Sequence, residues 1–464
     1  MAITIHDAGQ SRFRTLAALA VPAILEQLLG TLVSYVDTAM VGGLGSYATA
    51  AVGVNAPVVW LVNGVFPAVG VGYAVLVAHA IGAGKEEQAR HTISQSLLAV
   101  LVCGFTLFAL LLSLSGFIPR WLGAEPEVLP HAISYLRIYA FSLPFAASLA
   151  VLASIVRCMG NAKLPLILNT AANLLNVILN FFLINPTREI RGVTVWGANL
   201  GVAGAAIATA LSMVLSGSLM LLSLFLRKDS FRLTLKEDWT PDTQLIRRAA
   251  RLSLPNMVER FAINFGQITT TWIIGTLGTV PMAANHIAVT AEGLCYLPAY
   301  GIAFATTALV GQSVGGGDLE GAKKYGSLSG ICAFALCAVT GLALFLFAPQ
   351  LASIFNKDPA VVAEAVTVLR IIAPIESFFA VFIVLAGALR GAGDTKFPML
   401  LCLFSMWGVR IVLSPILVFV FHVGLSGVWI AMGADLVVRG VGCILRWRRD
   451  RWMRPYKCKE PFHG

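Results

Sequence analysis

The chain has 464 residues, 58% of them hydrophobic and only 12% charged, with a formal net charge of +10. A soluble domain carries about 25% charged residues, so a single water-bathed core could not hide this much apolar side chain. That argues against an ordinary soluble enzyme or binding module, and the gathering of Lys and Arg into alternate loops argues against a nucleic-acid surface.

Read from the N-terminus, the apolar runs predict spans at 15–41, 51–80, 93–117, 131–156, 165–185, 198–226, 249–275, 282–312, 327–348, 360–388, 398–420 and 425–446. Stretches of about 20 apolar residues cross about 30 Å of hydrocarbon. The runs are continuous rather than alternating, which favours helices over a barrel, since lipid offers no partner for unpaired backbone. The first apolar segment is too long for a cleavable signal peptide. The eight cysteines are scattered, with no CxxC, and read as small buried hydrophobes.

Basic residues fill the N-terminus, the loops 81–92, 157–164, 227–248, 313–326 and 389–397, and the tail. The intervening loops hold only Arg120, Arg188, Arg191 and Lys357. By the positive-inside rule this predicts a multi-pass protein of the plasma membrane with both termini cytoplasmic. The tail (Arg446, Arg448, Arg449, Arg451, Arg454, Lys457, Lys459) reads as an anchor touching anionic lipid.

Shifted by 233 residues, the sequence matches itself. Pro22, Glu26, Thr38, Gly42 and Gly45 fall on Pro255, Glu259, Thr271, Gly275 and Gly278. Gly82, Gly84 and Glu87 fall on Gly315, Gly317 and Glu320, and Arg157, Gly160, Lys163 and Pro165 on Arg390, Gly393, Lys396 and Pro398. An insertion near 186–196 then changes the shift to 223. Each half holds six spans, an even number, so both halves enter the membrane in the same sense. The expected fold is all-α and integral to the membrane: twelve transmembrane helices in two six-helix lobes, related by a pseudo-two-fold along the membrane normal. The expected division is an N-terminal lobe over 1–226, a cytoplasmic linker over 227–248, a C-terminal lobe over 249–446 and a basic tail over 447–464.

The repeat makes differences between the halves informative. Asp37 falls on Thr270. Asn169, Asn173, Asn176 and Asn180, spaced along one helical stripe, fall on Cys402, Met406, Val409 and Leu413, and Thr209 falls on Met432. A carboxylate inside hydrocarbon is costly and marks function by default. Either a proton on Asp37 or a Na⁺ held by Asp37 with amide and hydroxyl oxygens would neutralise it; the alternative for the asparagines is hydrogen bonding between helices. In the second half, Glu292, Glu376, Arg410, Asp435 and Arg439 have uncharged mates. Arg410 and Glu376 are expected either to pair across helices or to bind substrate, and Asp435 and Arg439 to pair along one helix. Glu26 and Glu259 occupy mated positions, which favours a shared packing role for Glu259 at least as much as ion coupling.

No HExxH, P-loop or nucleophile elbow occurs, so an enzyme is not expected, nor any cofactor. With no nucleotide-binding domain, an ion gradient of H⁺ or Na⁺ is left as the energy source. Three readings compete: an antiporter of amphiphilic or cationic small molecules acting as a monomer, a flippase of a lipid-linked or amphiphilic metabolite that would use Arg410 and Arg439 to hold phosphate, and a membrane enzyme, which the missing motifs disfavour. The expected partners are small-molecule substrates and membrane lipid, with no nucleic acid.

The run Val36-Asp37-Thr38-Ala39-Met40-Val41-Gly42-Gly43-Leu44-Gly45 resembles the first-helix signature of the multidrug and toxic compound extrusion (MATE) family. Arg157–Pro165 and Arg390–Pro398 resemble its paired loop motifs. The resemblance implies twelve helices in two lobes forming a V, and exchange of organic cations for H⁺ or Na⁺. It places Asp37, Asn176, Asn180 and Thr209 on the N-lobe cation site. It also draws attention to acids of the seventh and tenth helices, where Glu259 and Glu376 lie, while Asn180 stands where some relatives have a second acid.

Overall fold

The computed structural model describes residues 11–453 apart from 191, 192 and 235. Arg191 and the tail residues Arg454, Lys457 and Lys459 lie outside the described residues. The first half folds as α1 (Arg12–Gly42), α2 (Ser46–Gly82), α3 (Glu86–Leu114), the single turn α4 (Ile118–Trp121), α5 (Leu129–Cys158), α6 (Lys163–Leu183) and α7 (Gly201–Leu226), with a hairpin of β1 (Pro186–Ile190) and β2 (Val193–Ala198) between the last two. The hairpin occupies the insertion that changes the repeat shift. The second half folds as α8 (Thr243–Gly275), α9 (Thr279–Gly315), α10 (Leu319–Phe355), α11 (Pro359–Ile372), α12 (Glu376–Gly391), α13 (Lys396–Leu403), α14 (Ile411–Pro415) and α15 (Leu425–Arg448).

Among the described residues, ten helical stretches are long and apolar enough to cross a membrane, and α11 with α12 passes that test as one further span bent by 55°. α8 falls short in composition, because Asn256, Asn264, Gln267 and Thr269–Thr271 join Arg247, Arg248, Arg251, Glu259 and Arg260 along it. It is nonetheless 33 residues long, about 50 Å at 1.5 Å per residue. It packs against α2 as its repeat mate α1 packs against α9, and it completes twelve spans.

The backbone carries the repeat as clearly as the sequence does. Gly45 and Gly278, mates in the turns after the first helix of each half, have φ of 102° and 108°, a region closed to most side chains. The halves cross over at one end. Leu16, Leu19 and Ala20 of α1 are buried in the core formed by α9, α10 and α12, and Leu245 and Ala249 of α8 are buried in the core of the first half.

That end is also where the basic loops meet. Arg90 lies 3.4 Å from Glu237, Lys323 2.8 Å from Asp450 and Arg446 2.8 Å from Asp394. The segment joining the halves is held there rather than slack. The Gln95 side chain donates to Thr240 O at 2.8 Å and accepts from Asp242 N at 3.0 Å. Phe231 and Leu233 are buried in the first half's core. Asp242 then caps α8 by accepting from the amides of Gln244 and Leu245 at 2.9 and 3.0 Å.

Two spans depart from the continuous α-helices expected from the apolar runs. The stretch 360–388 is broken at Ala373–Ile375. Pro374 lacks an amide proton there, and its mate in unbroken α5 is Phe141. The stretch 398–420 contains π-helical turns at Phe404–Arg410 and Ile416–Val420 flanking α14, the kind of distortion that accompanies functional or strained sites.

Candidate functional site

α6 follows the 3.6-residue period without interruption, so Asn176 and Asn180 lie one turn apart on the same face. That face meets α1 and α7. The Asn180 amide donates to Asp37 Oδ1 and, at 3.1 Å, to Asn176 Oδ1. The Asn176 amide donates to Thr209 Oγ1 at 3.2 Å. Asp37, Asn180, Asn176 and Thr209 thus form one chain of polar contacts across three helices. Asn180 is fully buried and Asn176 nearly so, while Asp37 remains half-buried. Asn180 Oδ1 is buried and receives no hydrogen bond among the described residues. An orphaned oxygen of this kind normally needs an explanation. Together with the Asp37 carboxylate, it forms the start of an oxygen cage suited to a proton or a hard monovalent cation.

The other two asparagines of the stripe divide differently. Asn173 is half-buried beside Gly30 of α1. Asn169 belongs to a separate network: its amide donates to Glu26 Oε1 at 2.6 Å, and the Arg157 guanidinium donates to the same oxygen at 2.6 Å. Arg157 also stacks over Phe304 of α9, 4.6 Å from the ring centre.

Glu259 repeats the Glu26 arrangement in the second half. Arg390 donates to its two oxygens at 2.7 and 2.9 Å. Glu259 and Arg390 are each 233 residues beyond Glu26 and Arg157. Their common geometry is a buried structural ion pair joining α1 to α5 and α8 to α12, which takes Glu259 away from a free coupling role.

The charges peculiar to the second half form another cluster. Asp435 lies 2.9 Å from Arg410 and 2.6 Å from Arg439, and all three side chains are at least 95% buried. Arg439 also donates to Ser405 Oγ at 2.8 Å. The expected pairing of Arg410 with Glu376 is therefore corrected: the π-helical turns carry Arg410 to Asp435 on α15 instead. One carboxylate contacts both guanidiniums but balances only one of their two charges, and burial keeps both side chains off any exposed surface. Glu376 sits in the first turn of α12, fully buried, and neither of its oxygens receives a donor from the residues described. Its acidic neighbour is the Glu292 carboxyl of α9, and two carboxyl groups could hydrogen-bond to each other only with a proton between them.

Sequence reasoning by mates found Asp37, Asn176, Asn180 and Thr209 as a group. It noted Glu292 and Glu376 separately but not their juxtaposition, which depends on the break after Ile372. Ser405 was missed altogether, because a serine in an apolar span carries no distinguishing pattern.

A family model, MatE, matches residues 22–182 and again 255–416, once in each half. A probable multidrug resistance protein, NorM, of Thermotoga maritima is 29% identical over 442 residues, covering 95% of this chain and 93% of its own length. An uncharacterised transporter of Bacillus subtilis, YisQ, is 23% identical over 440 residues, with 95% of both chains covered. Among solved structures, a MOP-superfamily transporter from Pyrococcus furiosus, whose description states that a reversed polarity of its binding pocket suggests a different function, superimposes with a TM-score of 0.88 at 25% identity, covering 97% of this chain and 98% of that one. A multidrug resistance MATE transporter in an outward-facing conformation superimposes with a TM-score of 0.89 at 24% identity over 97% of both chains, a likeness of fold.

Proposed function

The chain belongs to the MatE family of membrane transporters, and from that premise we propose that it is a multidrug efflux antiporter exchanging amphiphilic, mainly cationic compounds for H⁺ or Na⁺. As a transporter it carries out no covalent chemistry of its own. The observation that carries the proposal is the Asp37–Asn180–Asn176–Thr209 cluster, present in one lobe and replaced by Thr270, Leu413, Val409 and Met432 in the other.

The mechanism follows from charge. An ionised Asp37 is costly in a low-dielectric bundle unless something compensates it. A proton on the carboxyl, or Na⁺ held by Asp37, Asn176, Asn180 and Thr209, supplies that compensation; a lipophilic cation near Asp37 supplies it too. Ion and substrate then compete for one negative charge, and each weakens the other's binding, which is the thermodynamic condition for exchange. Glu376, beside Glu292, is a second candidate for coupling, and Asn173 a candidate lining residue. Arg410 is already paired with Asp435, so a role for Arg410 in substrate binding is set below these.

In this reading the basic face is cytoplasmic in the plasma membrane, both termini lie there, the division into lobes, linker and tail follows the repeat, and one chain with both lobes is sufficient for a working unit. The P. furiosus relative keeps open a different cargo on the same fold, but the burial of Arg410 and Arg439 against Asp435 weakens a lipid-phosphate substrate for this chain. The deciding experiment is efflux of ethidium and a panel of cations from proteoliposomes under separately imposed proton and sodium gradients, with wild type and Asp37→Asn. Loss of gradient-driven efflux in a folded, inserted Asp37→Asn protein is expected. Full efflux by that variant, or transport of a radiolabelled lipid carrier with no response to cationic dyes, would overturn the assignment.

A further inference from the structure

At the end of the bundle where the basic loops meet, the two lobes are joined by two contacts that are images of each other. His79 of α2 contacts Gly391 O of α12 through Nε2 at 2.8 Å. Gln312 of α9 donates through Nε2 to Cys158 O of α5 at 2.7 Å. His79 and Gln312 are repeat mates, as are Cys158 and Gly391, each pair separated by 233 positions. Each lobe therefore sends one donor to the same main-chain oxygen of the other. Since a carbonyl only accepts, His79 carries its proton on Nε2 in this contact.

Close packing surrounds both bonds. A Cβ placed on Gly82 would collide with the backbone of Gln312, and one placed on Gly315 would collide with the backbone of His79. Gly82 and Gly315 are again mates. The two helices α2 and α9 thus approach backbone to backbone, each through a glycine one turn from its own donor. His79 and Gln312 are the two donors that cross between lobes at this level, and Ser253 Oγ to Val69 O at 3.1 Å supports the neighbouring crossing of α8 and α2.

Resting on the antiporter reading above, in which the ion and substrate site would face one side of the membrane at a time, we propose that His79 and Gln312 are a pseudo-symmetric latch that keeps this face shut while the Asp37 site faces the other side, and that the latch must release for the face to open. Main-chain oxygens freed of their donors in a buried seam are poorly satisfied until water enters, so the latch favours an abrupt two-state opening rather than gradual loosening.

The test uses the full-length transporter in nanodiscs, in a background with its native cysteines replaced, carrying spin labels at Glu87→Cys and Glu320→Cys, the mated exposed positions in the first turns of α3 and α10 beside the seam. Distance distributions report the ratio of shut to open states without any substrate, so the result is independent of whether Asp37 couples the ion. His79→Ala and Gln312→Ala are each expected to shift that ratio toward open by about fivefold, as the loss of one net hydrogen bond implies. The double variant is expected to shift it by about twentyfold. His79→Gln, which places the mate's own side chain at this position and keeps a donor, is expected to stay shut. Unchanged distances in the double variant, or opening by His79→Gln equal to that of His79→Ala, would overturn the latch.

Discussion

The Arg157 guanidinium lies 2.6 Å from the Glu26 carboxylate, and the pair ties the end of α5 to the middle of α1 with less than a tenth of either side chain exposed. Its image, Arg390 with Glu259 at 2.7 Å, does the same for α12 and α8. Removing one partner of a buried pair strands a charge, at a cost of about 3–5 kcal/mol. Arg157→Met and Arg390→Met are therefore expected to lower thermal stability in detergent well below that of Arg260→Met, whose site is exposed on α8. Tryptophan-fluorescence melts check this, and equal melting of all three variants would contradict a structural role for the pairs.

Asn180 and Asn173 lie on the same helix, but only Asn180 contacts Asp37. Asn180→Leu mimics the residue found at the mated position, Leu413, and removes both the donor to Asp37 and the orphaned Oδ1. Ion-driven ethidium efflux is expected to fall at least about tenfold, the loss of roughly 1.4 kcal/mol or more of binding. Asn173→Leu is expected to change the initial rate less than about twofold. The comparison is made at matched protein density in the same vesicles.

Asp435 contacts two buried guanidiniums at once. Asp435→Asn is expected to be among the most destabilising single changes in the second half, by about 3–5 kcal/mol. Glu376→Gln is expected to be far milder, because no donor depends on its carboxylate among the described residues and an amide can still hydrogen-bond to Glu292. Paired melts of the two variants decide the order.

Outside the membrane, the Asp242 carboxyl is held below the usual carboxylate range, chiefly by the Leu245 amide of the α8 cap, with His91 and the Gln244 amide adding to it. A depressed folded value means that the cap stabilises the helix start above the unfolded value of about 3.9 and loses that contribution as pH falls through the lower folded value. Amide exchange at 243–246 is therefore expected to be flat from pH 8 to pH 5, after correction for intrinsic rates, and to accelerate only below about pH 4. Asp242→Ala is expected to show the accelerated rate at every pH.

How much of this was readable in advance depends on what kind of signal each feature leaves. The duplicated lobes were legible because glycine, proline and arginine at fixed shifts mark backbone turns and ion pairs that both halves must make. α8 was legible through its mate α1 rather than through its own composition, which charged and amide residues obscure. The Asp37 cluster was legible as a difference between otherwise matching halves. The break at Pro374 was not: Pro22, Pro57, Pro67, Pro144, Pro255 and Pro298 all lie within continuous helices, so a proline alone does not separate a tolerated position from a break. The π-helical turns that swing Arg410 toward Asp435 likewise leave no periodic trace. Gln312 and Cys158 were invisible as partners because the acceptor is a backbone oxygen, which every residue possesses.

That same chemistry decides where variation can act at the seam between the lobes. No side-chain replacement at 158 or 391 deletes the oxygen that receives the bond, so point mutation at those acceptor positions can disturb the seam only by bulk. Heritable tuning of how readily this face parts is thereby concentrated in codons 79 and 312, and in the glycines at 82 and 315 that let the donors come near. A designer wanting a transporter trapped on one side of its cycle has the same short set of positions to alter.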